Sequence, residues 1–507
     1  MSSTAGLRLG VVVPEGELAW WRRELLQSLM AARPESLVVL ARAGQGPDLP
    51  LAWRLLLGAQ GLLWKANPDV LALKPESRQA SWPVLPFNQA DAADLDLVVN
   101  TCPAPVPDSL RQGTSLGVWD LEPVPARGFG PGFLESRLVW RPGQGQARLI
   151  MNAYTCAPGP GPWYWARVGL AKAAHLPARA LARLRSQGWA YLEGCPLAVE
   201  GGSWGPGPGT GPALFGRVLA WGLGKAWRDL FYRRQWFLAW RQKPGDIGQP
   251  GYQSRAFRPL YPPKGTGWAD PFLIRRGQGT YCFIEEITAS GKGVISVLEA
   301  RGQGEWTGPR RVLEEPFHLS YPYVFSHEGR MYLMPESGQA GRVALYRAED
   351  FPGGWVLDRE LLSGVTAVDA TLLEHGGKWW MFVNQKVPGG SSWDELHLYH
   401  APCPLGPFSP HPANPVVSDV RRARPAGRVF AHEGRLFRPG QDCSGWYGRA
   451  LAIMEIVRLD ETGYEERPVA RLEPELIPDS FCLHTLAVLD DLEVVDGQRW
   501  LPFIGRP

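Results

Sequence analysis

Residues 368–384 read VDATLLEHGGKWWMFVN. Asp369 opens a short apolar run, a turn follows at His375-Gly376-Gly377, and an aromatic-rich run returns. A carboxylate at the mouth of a buried hairpin is costly unless it is paired or has a task. Four other stretches share this layout. DPFLIRRGQGTYCFIEE starts at Asp270, YPYVFSHEGRMYLMPES at Tyr321, RPAGRVFAHEGRLFRPGQD at Arg424 and HTLAVLDDLEVVDGQRWLPFI at His484. Each has a polar residue, a short apolar strand, a turn and a second strand. Their first residues lie 51, 48, 55 and 60 positions apart. That is the period of a four-stranded propeller blade, and five such stretches predict five blades. The inner strand of each blade lines the central channel. Asp270, Tyr321, Asp369, Arg424 and His484 are therefore expected to converge on one axis.

Only 23 residues follow His484, enough for two strands. The rest of the fifth blade must come from earlier in the chain. QWFLAWR, residues 235–241, is the expected closing strand, which would staple the ring and remove its open edge. The propeller is thus predicted over residues 235–507.

The chain has 507 residues, 45% of them hydrophobic, a formal net charge of +3, 23 Trp, 59 Gly and 48 Pro. The length implies more than one domain. The Trp, Gly and Pro content suits many short strands and turns. The balanced charge gives no basic stripe, so no nucleic-acid partner is expected.

Residues 1–200 follow a different pattern. LRLGVVV, SLVVLAR and DLDLVVN read as buried strands, and ELAWWRRELLQSLMAA has helical spacing, which is an α/β alternation. WARVGLAKAAHLPARALARLRSQG is helical with a break at Pro177. Residues 201–234 read as a Gly/Pro-rich linker and a helix. The stretch WGLGKAWRDLFYRRQWFLAWR mixes aromatics with cations. It is read as a linker helix running into the closing strand, with peripheral membrane contact as the other reading.

The N-terminal stretch has no long apolar run, and the seven cysteines are dispersed without a CxxC pair. These features lead to the expectation of a cytoplasmic protein with reduced thiols, with no metal site and no cofactor. His397 and His400 would make a metal pair only on a helix, and they lie in a strand-like segment.

The second half resembles the N-terminal propeller domain of glucosamine inositolphosphorylceramide transferases. The resemblance is carried by WADPFLI, FIEE, HLSYPYVF, YLMPES, LYRAEDFP, VDATLL, HPANPV, ARPAG, RPGQDC followed by YG, and the late HT. Such domains look like distant members of the five-bladed glycosidase superfamily that includes family 43. The resemblance implies that Asp270 is the general base and Asp369 a tuning carboxylate. The family's acid does not carry over, because blade four offers Arg424. Glu336 is the expected substitute, with Glu285 or Glu286 as alternatives. Tyr321, Arg424, Gln441, Asp442, His484 and Trp268 complete the expected substrate-binding set, with Trp379 and Trp380 as further stacking candidates.

More weakly, DLDLVVNTCPAPVPDSLRQGTSLGVWDLEPVPARGFGPGFLESRLV resembles the folate-dependent formyltransferase fold. Where that family has Asn-x-His, this chain has Asp120-Leu121-Glu122. The resemblance therefore implies a degenerate scaffold without formyl transfer.

Two carboxylates and a cation in one funnel suit sugar chemistry. A guanidinium suits a phosphate or carboxylate on the substrate. The expected function is a glycan-active enzyme, a glycoside hydrolase or sugar transferase, working on a carbohydrate or a lipid-linked or phosphorylated sugar in polysaccharide or glycolipid synthesis. The alternatives are a non-catalytic glycan- or lipid-sugar-binding module and, after that, a formyltransferase-type enzyme.

Overall fold

The structure is a computed structural model. It describes residues 6–15, 18–43, 82–92, 94–102, 104–124, 133–156, 162–199, 210–242, 252, 256–301 and 305–503. The Gly/Pro-rich stretch at 201–209 that was read as linker lies outside the described residues. The chain forms two compact units, one ending at Gly222 and one beginning at Leu223.

The first unit carries a seven-stranded sheet. Its strands are β1 (Arg8–Pro14), β2 (Ser36–Arg42), β3 (Val84–Pro86), β4 (Leu97–Asn100), β5 (Val118–Val124), β6 (Phe133–Arg141) and β7 (Arg148–Cys156), in the order β3-β2-β1-β4-β5-β6-β7. Strands β1 to β5 pair in parallel, and β6 and β7 add antiparallel. Helix α1 (Trp20–Ala31) buries Trp21, Leu25, Leu26 and Leu29, a stripe at helical spacing. The expected break falls where α3 (Pro162–Ala173) gives way to α4 (Leu176–Gln187), with Pro177 in the first turn of α4, where its missing N–H costs nothing. A short α2 (Asp108–Gly113) precedes β5, and α5 (Trp189–Gly194) closes the unit. The α/β expectation holds.

The second unit is a five-bladed propeller. Helix α6 (Thr210–Phe231), whose residues from Leu223 on belong to this unit, runs straight into β8 (Tyr232–Gln242), and β9 (Arg258–Leu260) follows. Blade one is β10 (Gly267–Arg276), β11 (Gly279–Ile287), β12 (Gly293–Ala300) and β13 (Trp306–Leu313). Blade two is β14 (Ser320–His327), β15 (Arg330–Glu336), β16 (Arg342–Asp350) and β17 (Gly353–Ser363). Blade three is β18 (Ala367–His375), β19 (Lys378–Gln385), β20 (Leu396–Ala401) and β21 (Ser409–Pro410). Blade four is β22 (Arg424–Pro425), β23 (Phe430–His432), β24 (Arg435–Asp442), β25 (Ala450–Leu459) and β26 (Tyr464–Leu472). Blade five joins β27 (Leu486–Leu489) and β28 (Leu492–Pro502) to β8 and β9.

In all five blades a two-residue loop joins the first strand to the second. His327 pairs with Arg330, His375 with Lys378 and His432 with Arg435. Both loop residues have positive φ in Glu328-Gly329, Gly376-Gly377 and Glu433-Gly434, as a type I′ turn requires. The strand expected at 235–241 is real and longer. β8 pairs with β28 from Tyr232↔Pro502 to Gln242↔Leu492. Arg241 bonds Glu493 at 2.7 Å beside Tyr252, whose hydroxyl donates to the other Glu493 oxygen at 2.9 Å. Apolar clusters fill the wedges between blades, for example Phe272, Phe283, Tyr323, Leu333 and Met381 across blades one to three.

Candidate active site

Three of the five expected axis residues, near the starts of the inner strands of blades one to three, share a backbone device. Register slips between Ala269 and Phe272, between Ser320 and Tyr323, and between Val368 and Thr371. Asp270, Tyr321 and Asp369 sit in these bulges with φ of +50°, +44° and +56°. Left-handed backbone is tolerable for Asp and costly for Tyr, so the ring holds it by tertiary contacts. Each bulge lifts one residue out of the ladder and re-aims its side chain. Pro271 and Pro322 follow two of them, where no ladder N–H is needed.

Hydrogen bonds then run from blade to blade. Asp496 on β28 accepts from the Asp270 N–H at 2.8 Å and the Thr485 N–H at 2.7 Å. Asp270 in turn accepts from the Tyr321 N–H at 3.1 Å and the Thr485 hydroxyl at 2.8 Å. His484 places Nδ1 2.6 Å from Asp496 and Nε2 3.5 Å from Asp270. Tyr447 meets the same Nε2 at 3.0 Å, and the Trp236 ring lies 4.5 Å from the imidazole. Burial works against the imidazolium, but the Asp496 and Asp270 charges outweigh it and push the His484 pKa up to about 9. Burial also raises the Asp270 carboxyl, and the His484 charge opposes the rise.

Across the funnel, Arg424 Nε donates to Asp369 at 2.5 Å, and Gln441 Nε2 lies 3.3 Å from the same oxygen. Burial pushes Asp369 up to about 7, and the guanidinium offsets part of the rise. The 2.5 Å contact is that of an ion pair, and the Arg424 pKa is itself raised, because Asp369 outweighs the cost of burial. Arg424 and Asp369 thus form a buried pair, with the guanidinium holding the Asp369 carboxyl lower than burial alone would.

The ends of the second strands form a further ring. Counting two residues on from the matched pairs Phe272↔Phe283, Tyr323↔Met334 and Thr371↔Phe382 gives Glu285, Glu336 and Asn384. Gln441 faces Arg424 directly. Glu285 is buried, and burial pushes its carboxyl up to about 7 against the hydrogen bond from His318. The His318 Nε2 is 3.0 Å from Glu285, and the Gly293 N–H donates to its Nδ1 at 3.0 Å, which puts the ring proton on the nitrogen facing Glu285. Any side chain at Gly293 would strike the Leu319 carbonyl and Glu285 itself. The oxygens of Glu336 accept from the Ser320 hydroxyl at 2.6 Å and the Gly338 N–H at 2.9 Å. Asn384 is fully buried, and neither polar atom of its amide has a hydrogen-bond partner among the described residues.

Asp270, Asp369, Arg424, Gln441 and His484 thus stand in one buried network, and Glu336 is electrostatically coupled to Asp369. Four expectations need correction. Trp268 is 5% exposed and packs with Leu238 and Ala487 between blades five and one, so it presents no stacking face. Trp380 is buried against Leu398 and Val417, and Trp379 packs on Phe325, so neither lines the axis. Tyr321 is fully buried, and its hydroxyl ties Thr371 at 2.9 Å to the Gly427 N–H at 2.7 Å across three blades. Asp442 turns to Arg471 at 2.6 Å and Arg449 at 3.3 Å.

Residues without an assigned sequence role complete the site. Asp496 lies in mid-strand, where no first-residue rule reaches it. His318 stood in the HLSYPYVF motif, Tyr447 in the YG that follows RPGQDC and Trp236 in the closing strand, each without a chemical reason to choose it. In the first unit, Asp120 and Glu122 on β5 are clamped by Arg141, with Arg137 3.8 Å from Glu122. Glu122, Arg137 and Arg141 border a cavity of about 380 Å³ that Arg111 also lines.

Residues 264–475 match the family described as "Glucosamine inositolphosphorylceramide transferase 1, N-terminal". The chain is 39% identical over 206 residues to glucosamine inositolphosphorylceramide transferase 1 of Oryza sativa subsp. japonica, covering 40% of this chain and 28% of that protein. For the Arabidopsis thaliana protein of the same name the figures are 35% over 203 residues, 39% and 26%. The chain therefore spans little more than a quarter of the length of these relatives. Among solved structures it is similar to Zg3597, a family 117 glycoside hydrolase from Zobellia galactanivorans, with TM-score 0.34 and 14% identity over 53% of this chain and 91% of that one. It is also similar to CoXyl43, a family 43 β-xylosidase/α-arabinofuranosidase from a compost metagenome, with TM-score 0.36 and 12% identity over 53% and 96%. The propeller of this chain is thus similar to the N-terminal segment of the glucosamine inositolphosphorylceramide transferases.

Proposed function

We propose that the propeller funnel is a sugar-processing site that acts on a lipid-linked or phosphorylated sugar in glycolipid or polysaccharide synthesis. The relatives are named glucosamine inositolphosphorylceramide transferases, a name that couples a sugar with a phosphorylated lipid. The observation that carries the reading is Glu285, a buried carboxyl held up to about 7 within electrostatic reach of Asp270. One carboxyl kept protonated near neutrality beside another with a different environment is the arrangement that acid–base work on a glycosidic bond needs. In this reading Glu285 hands its proton to the leaving oxygen as the glycosidic C–O bond breaks. The incoming hydroxyl forms the new bond and passes its proton to Asp270. Asp369, neutralised by Arg424, shapes the field. Glu336, with both oxygens already accepting hydrogen bonds, is a poorer proton donor than Glu285.

A binding module is the second reading. It is favoured by the missing blade-four acid, since Arg424 stands in that place and is paired with Asp369. The unpartnered amide of Asn384 suits a bound hydroxyl in either case. Formyl transfer is not adopted, because Asp120 and Glu122 are held in ion pairs and offer no neutral base. The deciding experiment is turnover on a panel of nucleotide and lipid-linked sugars. Product formed by the wild type and lost in Glu285→Gln supports the enzyme. Saturable binding without turnover, unchanged in that variant, moves the assignment to a module.

A further inference from the structure

Helix α6 presents an anomaly. Leu223, Trp227 and Leu230 are 65%, 61% and 69% exposed, and Phe231 is also exposed. Their spacing of four, three and one puts them on one face. Phe503, 59% exposed, joins them, since its N–H bonds the Phe231 carbonyl at 2.8 Å. The described stretch from Gly222 to Phe231 is mostly exposed and gains little from burial, and clustered apolar exposure marks a surface that meets something.

The charges beside it indicate what that is. Lys225 is paired with Asp229, the nearby carboxylate. Arg228 and Arg234 are exposed and Arg233 is half-buried, so the surplus is cationic. Arg228 also lies 5.9 Å from the Trp500 ring. Leu, Trp and Phe on one face with arginines alongside are the composition of a helix that lies in a bilayer interface. No described helix is long and apolar enough to cross a membrane.

The patch also adjoins the funnel. β8 begins at Tyr232, where the helix ends, and four residues on Trp236 packs against His484. At strand rise that is about 13 Å along the strand. Thr485 precedes β27 and Asp496 lies on β28, whose far end pairs Pro502 with Tyr232, so patch and site residues share one end of blade five.

We propose that α6 and Phe503 dock on an anionic lipid surface and hold the funnel mouth at headgroup level. The docking stands on the patch alone, and only the delivery of a lipid-linked sugar to the funnel rests on the function proposed above. The test is flotation of the full chain with phosphatidylcholine vesicles and with the same vesicles containing phosphatidylserine. Binding is expected to the anionic vesicles and to weaken with added salt. It should fall tenfold or more both in the triple variant Leu223→Ser, Trp227→Ser, Leu230→Ser and in the double variant Arg228→Glu, Arg234→Glu, with circular dichroism unchanged. Asp270→Asn should float like the wild type, so failure of the chemistry and failure of docking are read separately. Three results overturn the proposal. One is absence of flotation. Another is flotation that the variants do not alter or that ignores lipid charge. The third is a dimer by light scattering that the triple variant dissolves while vesicles are ignored, which assigns the face to a second copy.

Discussion

Asp270 sits where three blades meet through hydrogen bonds, and its two oxygens hold different partners: Thr485 on one, the Tyr321 N–H on the other. An amide in its place keeps the shape but cannot take a proton. Asp270→Asn is therefore expected to lower turnover by about 10²–10⁴-fold with the melting curve little changed. Full activity in that variant would remove Asp270 from proton transfer. Glu285 predicts the pH profile. Its carboxyl is raised to about 7 by burial, so the acid form is present below that pH and is lost above it. The rate constant at saturating sugar should fall as pH rises through about 7, and Glu285→Gln should lower the plateau and remove that limb. A limb that stays in the glutamine variant belongs to another group.

At the scale of the element, ring closure depends on one clasp. Arg241 and Glu493 are nearly fully buried on neighbouring strands β8 and β28. Breaking such a pair leaves a charge stranded in the interior. Glu493→Ala is expected to cost about 3–5 kcal/mol in urea unfolding. A loss below about 1 kcal/mol, the range of an exposed pair, would mean the clasp is solvated. The closing strand was legible because a propeller with two strands left over must borrow from its other end, and QWFLAWR was the apolar run at hand. The five inner strands were legible because turn and spacing repeat. The partner ring was not, since it appears only when register is known: Glu285 and Glu336 become equivalent through their pairing with Ala269 and Ser320. Asp496 was hidden for the same reason. Trp268 misled because an aromatic near the axis reads alike whether its ring faces the funnel or the wedge between blades. Tyr321 shared the slot position, yet its ring turns into the core, where its hydroxyl serves the ring's own construction.

In the whole molecule, closure and chemistry depend on the same strand. β28 pairs with β27 on one side and β8 on the other. It also carries Asp496, which bonds His484, Thr485 and the Asp270 N–H. Its loss would open blade five and unmake the hydrogen-bonded ring in one event, because a strand edge with no partner cannot hold the wedge clusters beside it. A chain ended after Leu489 should therefore lose the propeller's cooperative unfolding transition. The first unit has its own sheet and its own buried cluster, from Leu9 to Cys195. It should keep a separate transition of its own. A chain ended after Phe503 retains all of β28 and should unfold like the wild type. Urea titration followed by circular dichroism and Trp fluorescence distinguishes the three proteins. If the chain ended at Leu489 kept the propeller transition at its original midpoint, the ring would be held by its wedges alone, and β28 would be a carrier of Asp496 and not a closing strand.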